Sequence, residues 1–310
     1  MFDARARPLM PITFYYPDTP QLPLPDGHRF PAGKYVMLQQ LLVNNATVRP
    51  EQFATSPIAT REQLTTSHDP AYVDAIADGS IDPKIMKRIG LPWSKTHARR
   101  ARATVGGTLA AARDALEHGF GAQLAGGTHH AHFSEGAGFC TFNDFAVTAT
   151  ILFDEQKIQR VAIIDVDVHQ GDGNATLLGP DPRALVVSIH GARNWPFDKA
   201  QSDVDIPLDD GTEDDAYLHA LDDALSAIAS FQPDLLLING GVDPLAEDRL
   251  GRLALTFEGL AKRDRTIFAF AKSRGIPAVL AIGGGYAEPI DLSVRAYGNT
   301  FEAAKSVYGF

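Results

Sequence analysis

The sequence predicts an α/β fold, a central and mostly parallel sheet covered by helices. Two observations carry this. Short β-branched runs alternate along most of the chain with longer segments in which apolar residues recur at three and four, the pattern made by parallel sheets with crossover helices. The short runs are also apolar almost throughout and bounded by Gly, Pro or Asp, as strands buried on both faces should be. Taken in order, residues 12–16 read as a strand. Residues 17–31 follow as a polar loop whose Pro17, Pro20, Pro23, Pro25 and Pro31 bar it from a sheet interior and make it a candidate rim for a binding crevice. Helices are expected over 33–43, 70–77 (capped by Asp69) and 97–118, then a strand over 122–125 and a helix over 144–155 capped by Asn143. Strands over 160–166 and 184–189 precede a helix over 213–230, for which Thr212 is the expected cap. A strand over 234–239, a helix over 256–273 and a strand over 277–282 complete the pattern. No repeat, low-complexity tract or Gly/Ser linker divides the chain, so residues 1–310 read as one domain.

Composition removes several function classes. With 28 basic and 38 acidic side chains the formal charge is −10, and the one basic cluster is the short stretch from His97 to Arg102, so a nucleic-acid partner is not expected. The longest nearly apolar stretch, residues 145–153, is broken by two threonines and falls far below the roughly 18 residues of a membrane span. The start of the chain leads to Pro8 and Pro11 rather than to an apolar signal core, and the single Cys140 has no internal disulfide partner. A cytoplasmic protein is the expectation. Oligomeric state is not readable from the sequence.

Four segments carry chemistry. In the run from Val161 to Asn174 an apolar strand ends in Asp165, Asp167 and His169, spaced by two, so that an extended chain would turn all three to one face and offer a metal ion carboxylate and imidazole together. An Asp-Gly turn after a strand is the plainer reading. The run from Gly126 to His132 holds three of the ten histidines; His129 and His130 cannot face the same way in an extended chain, so distinct partners are expected, with Asp165 and Asp172 available. A solvated polar loop would also accommodate them. In the run from Asp234 to Pro244 a buried strand opens into two glycines and presents Asp243, either a turn initiator or, with Asp167 and His169, the third ligand of a site with an open position. The run from Ile282 to Tyr286 ends a strand in three glycines and a phenol suited to stabilising an oxyanion; no Lys-Ser/Thr follows to make it a phosphate loop.

In this order, Gly127-Thr-His-His130, Gly136 to Asp144, Ile164 to Gly173, Ser188-Ile-His190, Gly241-Val-Asp243, Gly251 to Thr256 and Gly283-Gly-Gly-Tyr286 resemble the zinc-dependent histone deacetylases and their bacterial deacetylase-like relatives, over roughly residues 10–305. Gln170, the short chain and Gly33-Lys34 look closest to the class IV type and its bacterial kin. The resemblance implies the arginase/deacetylase-like fold, three layers around the sheet. It implies zinc ligands Asp167, His169 and Asp243, a general base and acid His130 bonded to Asp172, and an electrostatic partner His129 bonded to Asp165. It further implies Tyr286 on the acyl carbonyl, Phe139 as one channel wall, Gly138 as an acceptor for the substrate amide, and a structural potassium ion near Asp165, Asp167, His169, Ser188 and Ile189.

A metal-dependent deacetylase acting on acyl-lysine in a protein or peptide is therefore expected. Two carboxylates among the ligands are hard enough that Fe2+, Co2+ or Mn2+ could replace zinc. The alternatives are an acetylpolyamine amidohydrolase, a binuclear manganese ureohydrolase and a non-catalytic acyl-lysine binder. The ureohydrolase site needs more carboxylates than Gly-Gly-Val-Asp243-Pro supplies, and the binder would be expected to have lost a ligand, His130 or Tyr286. Trp195-Pro-Phe197 is the best candidate for the second aromatic wall, Cys140 is expected to line the interior without acting as a nucleophile, and the acidic surface suits a cationic peptide or polyamine.

Overall fold

The computed structural model describes residues 12–18 and 22–310, so the expectations drawn from residues 1–11 and from Pro20 lie outside the described residues. Its strands are β1 (Phe14–Tyr16), β2 (Phe53–Thr55), β3 (Phe120–Gln123), β4 (Val161–Asp165), β5 (Ala184–Gly191), β6 (Val204–Leu208), β7 (Leu235–Asn239) and β8 (Ala278–Ala281). They form one sheet in the order β2-β1-β3-β8-β7-β4-β5-β6, with every neighbouring pair parallel. The helices are α1 (Lys34–Asn44), α2 (Arg61–Leu64), α3 (Pro70–Asp78), α4 (Pro83–Ile89), α5 (Lys95–His118), α6 (Asp144–Asp154), α7 (Asp172–Leu178), α8 (Asp214–Phe231), α9 (Phe257–Ser273) and α10 (Asp291–Tyr308).

The apolar strand runs have the cause inferred for them. In β4, Ala162 and Ile164 pack into a cluster with α1, α8, α9 and α10, while Val161 and Ile163 pack into a second cluster with α3, α5 and α6. Both faces of the sheet are covered, so neither needs a polar residue. The layers are helix, sheet, helix. No helix among the described residues is long and apolar enough to cross a membrane.

Asp69 and Asn143 cap as expected, accepting from Ala71 N at 2.7 Å and Ala146 N at 2.8 Å. Thr212 does not. Its hydroxyl donates to the Asp209 carbonyl at 2.7 Å, closing a turn, and the chain enters α8 one residue later, through Glu213, which makes no side-chain cap bond. The short edge strands β2 and β6, the short helices α2, α4 and α7, and the long α10 were not expected. Pro207 and the alternation of exposed Asp205 and Pro207 with half-buried apolar residues in β6 are the marks of an edge strand. Gly298 interrupts the α10 pattern because that position faces Leu41, whose Cδ2 would lie 2.9 Å from an added Cβ.

The topology fixes where a site can form. From β4 the chain moves outward to β5 and from adjacent β7 it moves the other way to β8, so the loops leaving β4 and β7 diverge and open a crevice at the carboxyl edge.

Candidate active site

The two diverging loops carry the metal-type ligands. Asp167 and His169 follow β4, Asp243 follows β7, and one donor atom from each lies within 4.8 Å of the others. Asp167 Oδ2 accepts from Gly284 N at 2.6 Å and Asp243 Oδ1 from Val168 N at 2.9 Å, which fixes both carboxylates. Asp243 Oδ2 is buried with no hydrogen-bond partner, although His169 Nδ1 lies 3.2 Å away out of alignment. Burial and the Asp167 charge push the Asp243 carboxyl up to about 7, the response of an acid crowded against a second acid. An unpartnered oxygen and two repelling carboxylates are what a cation relieves, so this donor set fits a divalent metal. Room for it comes from glycine: a Cβ on Gly284 would lie 2.0 Å from Asp243 Oδ2.

One sequence expectation needs correction. Asp165, Asp167 and His169 do not share a face, because β4 ends at Asp165. Asp167 N donates to Asp165 Oδ1 at 3.2 Å and His169 N to Asp167 Oδ1 at 2.9 Å, so each carboxylate bends the chain after it. Asp165 thus turns from the ligand set toward His129, whose Nδ1 is 2.7 Å from Asp165 Oδ2. His130 Nδ1 has its own carboxylate, Asp172 Oδ1, also at 2.7 Å. The two rings sit side by side, centroids 3.9 Å apart.

Their environments drive them to opposite states. Burial opposes charge on His129, but the Asp165 and Asp167 carboxylates override it and raise His129 to about 9. For His130, burial together with the His129 charge outweighs the Asp172 hydrogen bond and lowers it to about 3. Against its own desolvation, Asp172 is held ionised, well below the usual range, by hydrogen bonds from His130 and His132. His130 is therefore neutral with Nδ1 donating to Asp172, which leaves Nε2 a lone pair.

A cavity of ≈ 750 Å³ reaches these groups, lined by Asp167, His169, Gly138, Phe139, Trp195 and Tyr286 among others. Leu22, Arg29 and Phe30 of the proline-rich loop line it too, as the rim expectation required. Phe139 adopts φ 67°, a left-handed conformation that a side chain rarely takes, enforced by Gly138 N and Phe139 N donating to Arg88 O and Ile89 O at 3.1 and 2.7 Å. Its ring faces Tyr286 at 5.9 Å, and Trp195 stands 4.5 Å edge-on to His130. Of the expected second wall, Trp195 is the part against the histidine, whereas Phe197 is 78% exposed. Tyr286 follows β8 by five residues and is placed by its backbone N–H, which donates to Asp248 Oδ2 at 2.6 Å; burial raises its phenol well above the ordinary value. The Cys140 thiol is likewise raised by burial, which leaves it protonated and inert. Ser188 pairs with Asp165 across β4 and β5, and its hydroxyl is 2.9 Å from His190 Nδ1.

The family described as Histone deacetylase domain matches residues 28–299. The chain belongs to the histone deacetylase family. It is 41% identical over 298 residues, 95% of this chain and 98% of the relative, to an uncharacterised protein of Picosynechococcus. To Histone deacetylase 2 of Arabidopsis thaliana it is 32% identical, covering 84% of this chain and 70% of the relative. The acetoin utilization protein AcuC of Staphylococcus aureus is 31% identical, with 89% and 77% covered. Among solved structures, a histone deacetylase homologue complexed with SAHA superposes with TM-score 0.80 at 22% identity, covering 97% of this chain and 89% of that one. An acetylpolyamine aminohydrolase from Burkholderia pseudomallei superposes with TM-score 0.75 at 20% identity, covering 95% and 99%. Those two likenesses show the arginase/deacetylase fold. The protein is a deacetylase.

Several residues that hold this deacetylase site together were not singled out from the sequence. Asn239, at the end of β7, donates to Asp165 Oδ1 at 2.9 Å. Buried Asp144 accepts from Gly127 N, Thr128 N and Thr108 Oγ1 and so pins the loop carrying both histidines. Buried Arg263 of α9 donates to Val166 O at 3.1 Å and Gly241 O at 2.9 Å, tying the two ligand loops to one guanidinium. Lys34 Nζ donates to Gly283 O at 3.2 Å behind the Tyr286 turn. Asn239 ends a strand, Asp144 and Lys34 begin helices and Arg263 lies within one, so each acts on a loop from a neighbouring element, and only the acid or base at 144, 263 or 34 could have signalled it. Gln170 is turned away: its amide bonds Ala200 O, Ala200 N and Asp205 Oδ1, so it braces the segment before β6.

Proposed function

We propose that this deacetylase is a zinc-dependent amidohydrolase that removes acetyl or another acyl group from acyl-lysine. The observation that carries the reading is the adjacency of a three-ligand set to two buried histidines, each bonded through Nδ1 to its own carboxylate. Asp167, His169 and Asp243 would hold the metal. Zinc bound there supplies Lewis-acid chemistry, acidifying water and polarising a carbonyl oxygen.

The chain's own groups do the rest. Neutral His130 accepts the proton of the attacking water at Nε2, with Asp172 steadying the imidazolium that results. The positive His129, held by Asp165, favours the negative charge that develops beside it. The Tyr286 hydroxyl donates to the oxyanion, and His130 returns its proton to the leaving amine. Phe139 and Trp195 would flank the lysine stem, and the Gly138 carbonyl would accept from the substrate amide. A potassium ion near Asp165, Asp167, His169, Ser188 and Ile189 belongs to the same proposal. Because two of three ligands are carboxylates, Fe2+, Co2+ and Mn2+ are alternatives to zinc. A mononuclear centre is favoured over the binuclear manganese ureohydrolase since the group brings together three ligands and the chain offers no second Asp two residues from Asp243.

Metal analysis of the purified protein alongside hydrolysis of an acetyl-lysine peptide tests this. One equivalent of zinc, with activity lost to a chelator and restored by zinc, is the expected result. Two equivalents of manganese in an active preparation would overturn it.

A further inference from the structure

The cavity carries a local charge opposite to that of the chain. Acidic side chains outnumber basic ones 38 to 28, yet Arg29, Arg100, Arg193, Arg249 and Arg252 line the cavity, and among the described residues Asp167 is the sole carboxylate that does. Asp167 is already committed to the ligand set. The overall acidity, taken from the sequence to suit a cationic peptide or polyamine, is therefore not the charge that a substrate meets at the entrance.

Three of these arginines stand at the outer end, Arg193 after β5 and Arg249 and Arg252 after β7, with side chains 71%, 57% and 52% exposed. Their carboxylate supply is short. Arg193 and Arg252 both reach one oxygen, Asp210 Oδ2, at 2.9 and 3.2 Å, while Arg249 meets Glu288 at 2.7 Å. Three guanidinium groups thus share two carboxylates, neither of which lines the cavity. Exposed pairs of this kind hold weakly, and a guanidinium offers five N–H donors in a fork matched to a carboxylate. An arriving carboxylate can take up the surplus donors without stranding any charge. Exposed Phe197, which lines the same cavity, offers an apolar contact for a peptide chain.

We infer that the deacetylase selects acyl-lysine in peptides whose neighbouring residues are Asp or Glu, read by Arg193, Arg249 and Arg252. This rests on the acyl-lysine hydrolase reading above. An acylated polyamine would bring ammonium groups to the same guanidinium groups and be repelled.

The test compares kcat/KM of the metal-loaded protein on three acetyl-lysine peptides with acidic, neutral and basic flanks, and on N-acetylspermidine, at low and high salt. The acidic-flanked peptide should lead the basic-flanked one by about tenfold or more at low salt, chiefly through KM, and the gap should close as salt rises. Arg193→Glu with Arg252→Glu should invert that order. A preference for basic flanks or for N-acetylspermidine in the parent protein would overturn the inference, as would equal turnover of all three peptides. Loss of the proposed function looks different: then the neutral-flanked peptide is not hydrolysed either. Should the double variant fail to fold, the salt dependence and substrate order of the parent protein still decide.

Discussion

His129 and His130 are neighbours in sequence, both buried, both bonded through Nδ1 to a carboxylate, and yet about 9 and about 3 in their ionisation. The difference comes from what lies beyond the first partner. Asp165 and Asp167 together outweigh burial for His129, whereas the charge so created on His129 adds to the burial that suppresses His130. A base outside the ligand set can be removed without emptying it. His130→Ala should therefore abolish acyl-lysine turnover while metal content measured on the same preparation stays at the parent value; turnover near the parent rate would move the base elsewhere, with His129 next. Tyr286→Phe removes the proposed donor to the developing oxyanion and keeps the ring packed against Phe139. It should lower kcat by about a hundred- to a thousandfold, with KM changed much less and a metal-chelating hydroxamate still bound. A raised KM with unchanged kcat would make Tyr286 a packing residue. The convergence of Asp167, His169 and Asp243 was anticipated from carboxylates and imidazole at the ends of buried strands, although each run also allowed a plain turn or polar loop and the individual roles came only from the family resemblance. Asn239, Asp144 and Arg263 were not, since one amide, acid or guanidinium at the edge of an apolar run has many bland explanations and only the fold says what it touches.

At the scale of elements, the runs after β4, β7 and β8 work as one unit. Gly284 N donates to Asp167 Oδ2 at 2.6 Å and Val168 N to Asp243 Oδ1 at 2.9 Å, so each loop holds a ligand of another. Gly284 must have no side chain. A Cβ there would lie 2.0 Å from Asp243 Oδ2 and 2.7 Å from Asp167 Oδ2, and both carboxylates are held where they are by backbone N–H donors. Gly284→Ala should consequently cost most of the bound metal, read by metal analysis after dialysis, while far-ultraviolet circular dichroism stays that of the parent; a variant that retains stoichiometric metal would refute the crowding. The short buried strands and amphipathic helices were readable because burial on two faces leaves a continuous apolar run and burial on one stripe leaves a period in the sequence. Strand β2 sits between polar Gln52 and Ser56, without the apolar residue that extends the run of β1 to Ile12, and α7 begins at Asp172 within the site itself, too polar to show a pattern. Asp165 misled for a related reason. Period two holds only while a chain stays extended, and the carboxylates of Asp165 and Asp167 bend it by bonding the backbone two residues on.

Across the whole molecule, the site is joined to the helical layer by histidines that have no catalytic part. His68, after α2, accepts from Asn143 N at its Nε2 (2.8 Å), and its Nδ1 reaches His132 O at 2.9 Å, so one neutral ring links the cap of α6 to the segment after His129 and His130. Burial lowers His68 to about 4 from an ordinary value near 6.5, and does the same to His97 on α5. The unfolded chain then takes up protons that the native state refuses. The stability held by the neutral rings is complete above pH about 6.5, falls as pH drops from there toward about 4, and levels off below, each ring contributing at most about 3 kcal/mol over the whole interval. Urea unfolding should find the protein weaker at pH 5 than at pH 7. Release of metal in acid would act in the same direction, so the comparison belongs on metal-free protein and on a variant. In His68→Gln an amide oxygen can still accept from Asn143 N, but nothing titrates. The variant should be less stable than the parent at pH 7 and should lose about 2 kcal/mol less between pH 7 and pH 5. If both proteins lose the same amount, His68 is not buried neutral, and the link it makes between α6 and the histidine loop does not govern acid stability.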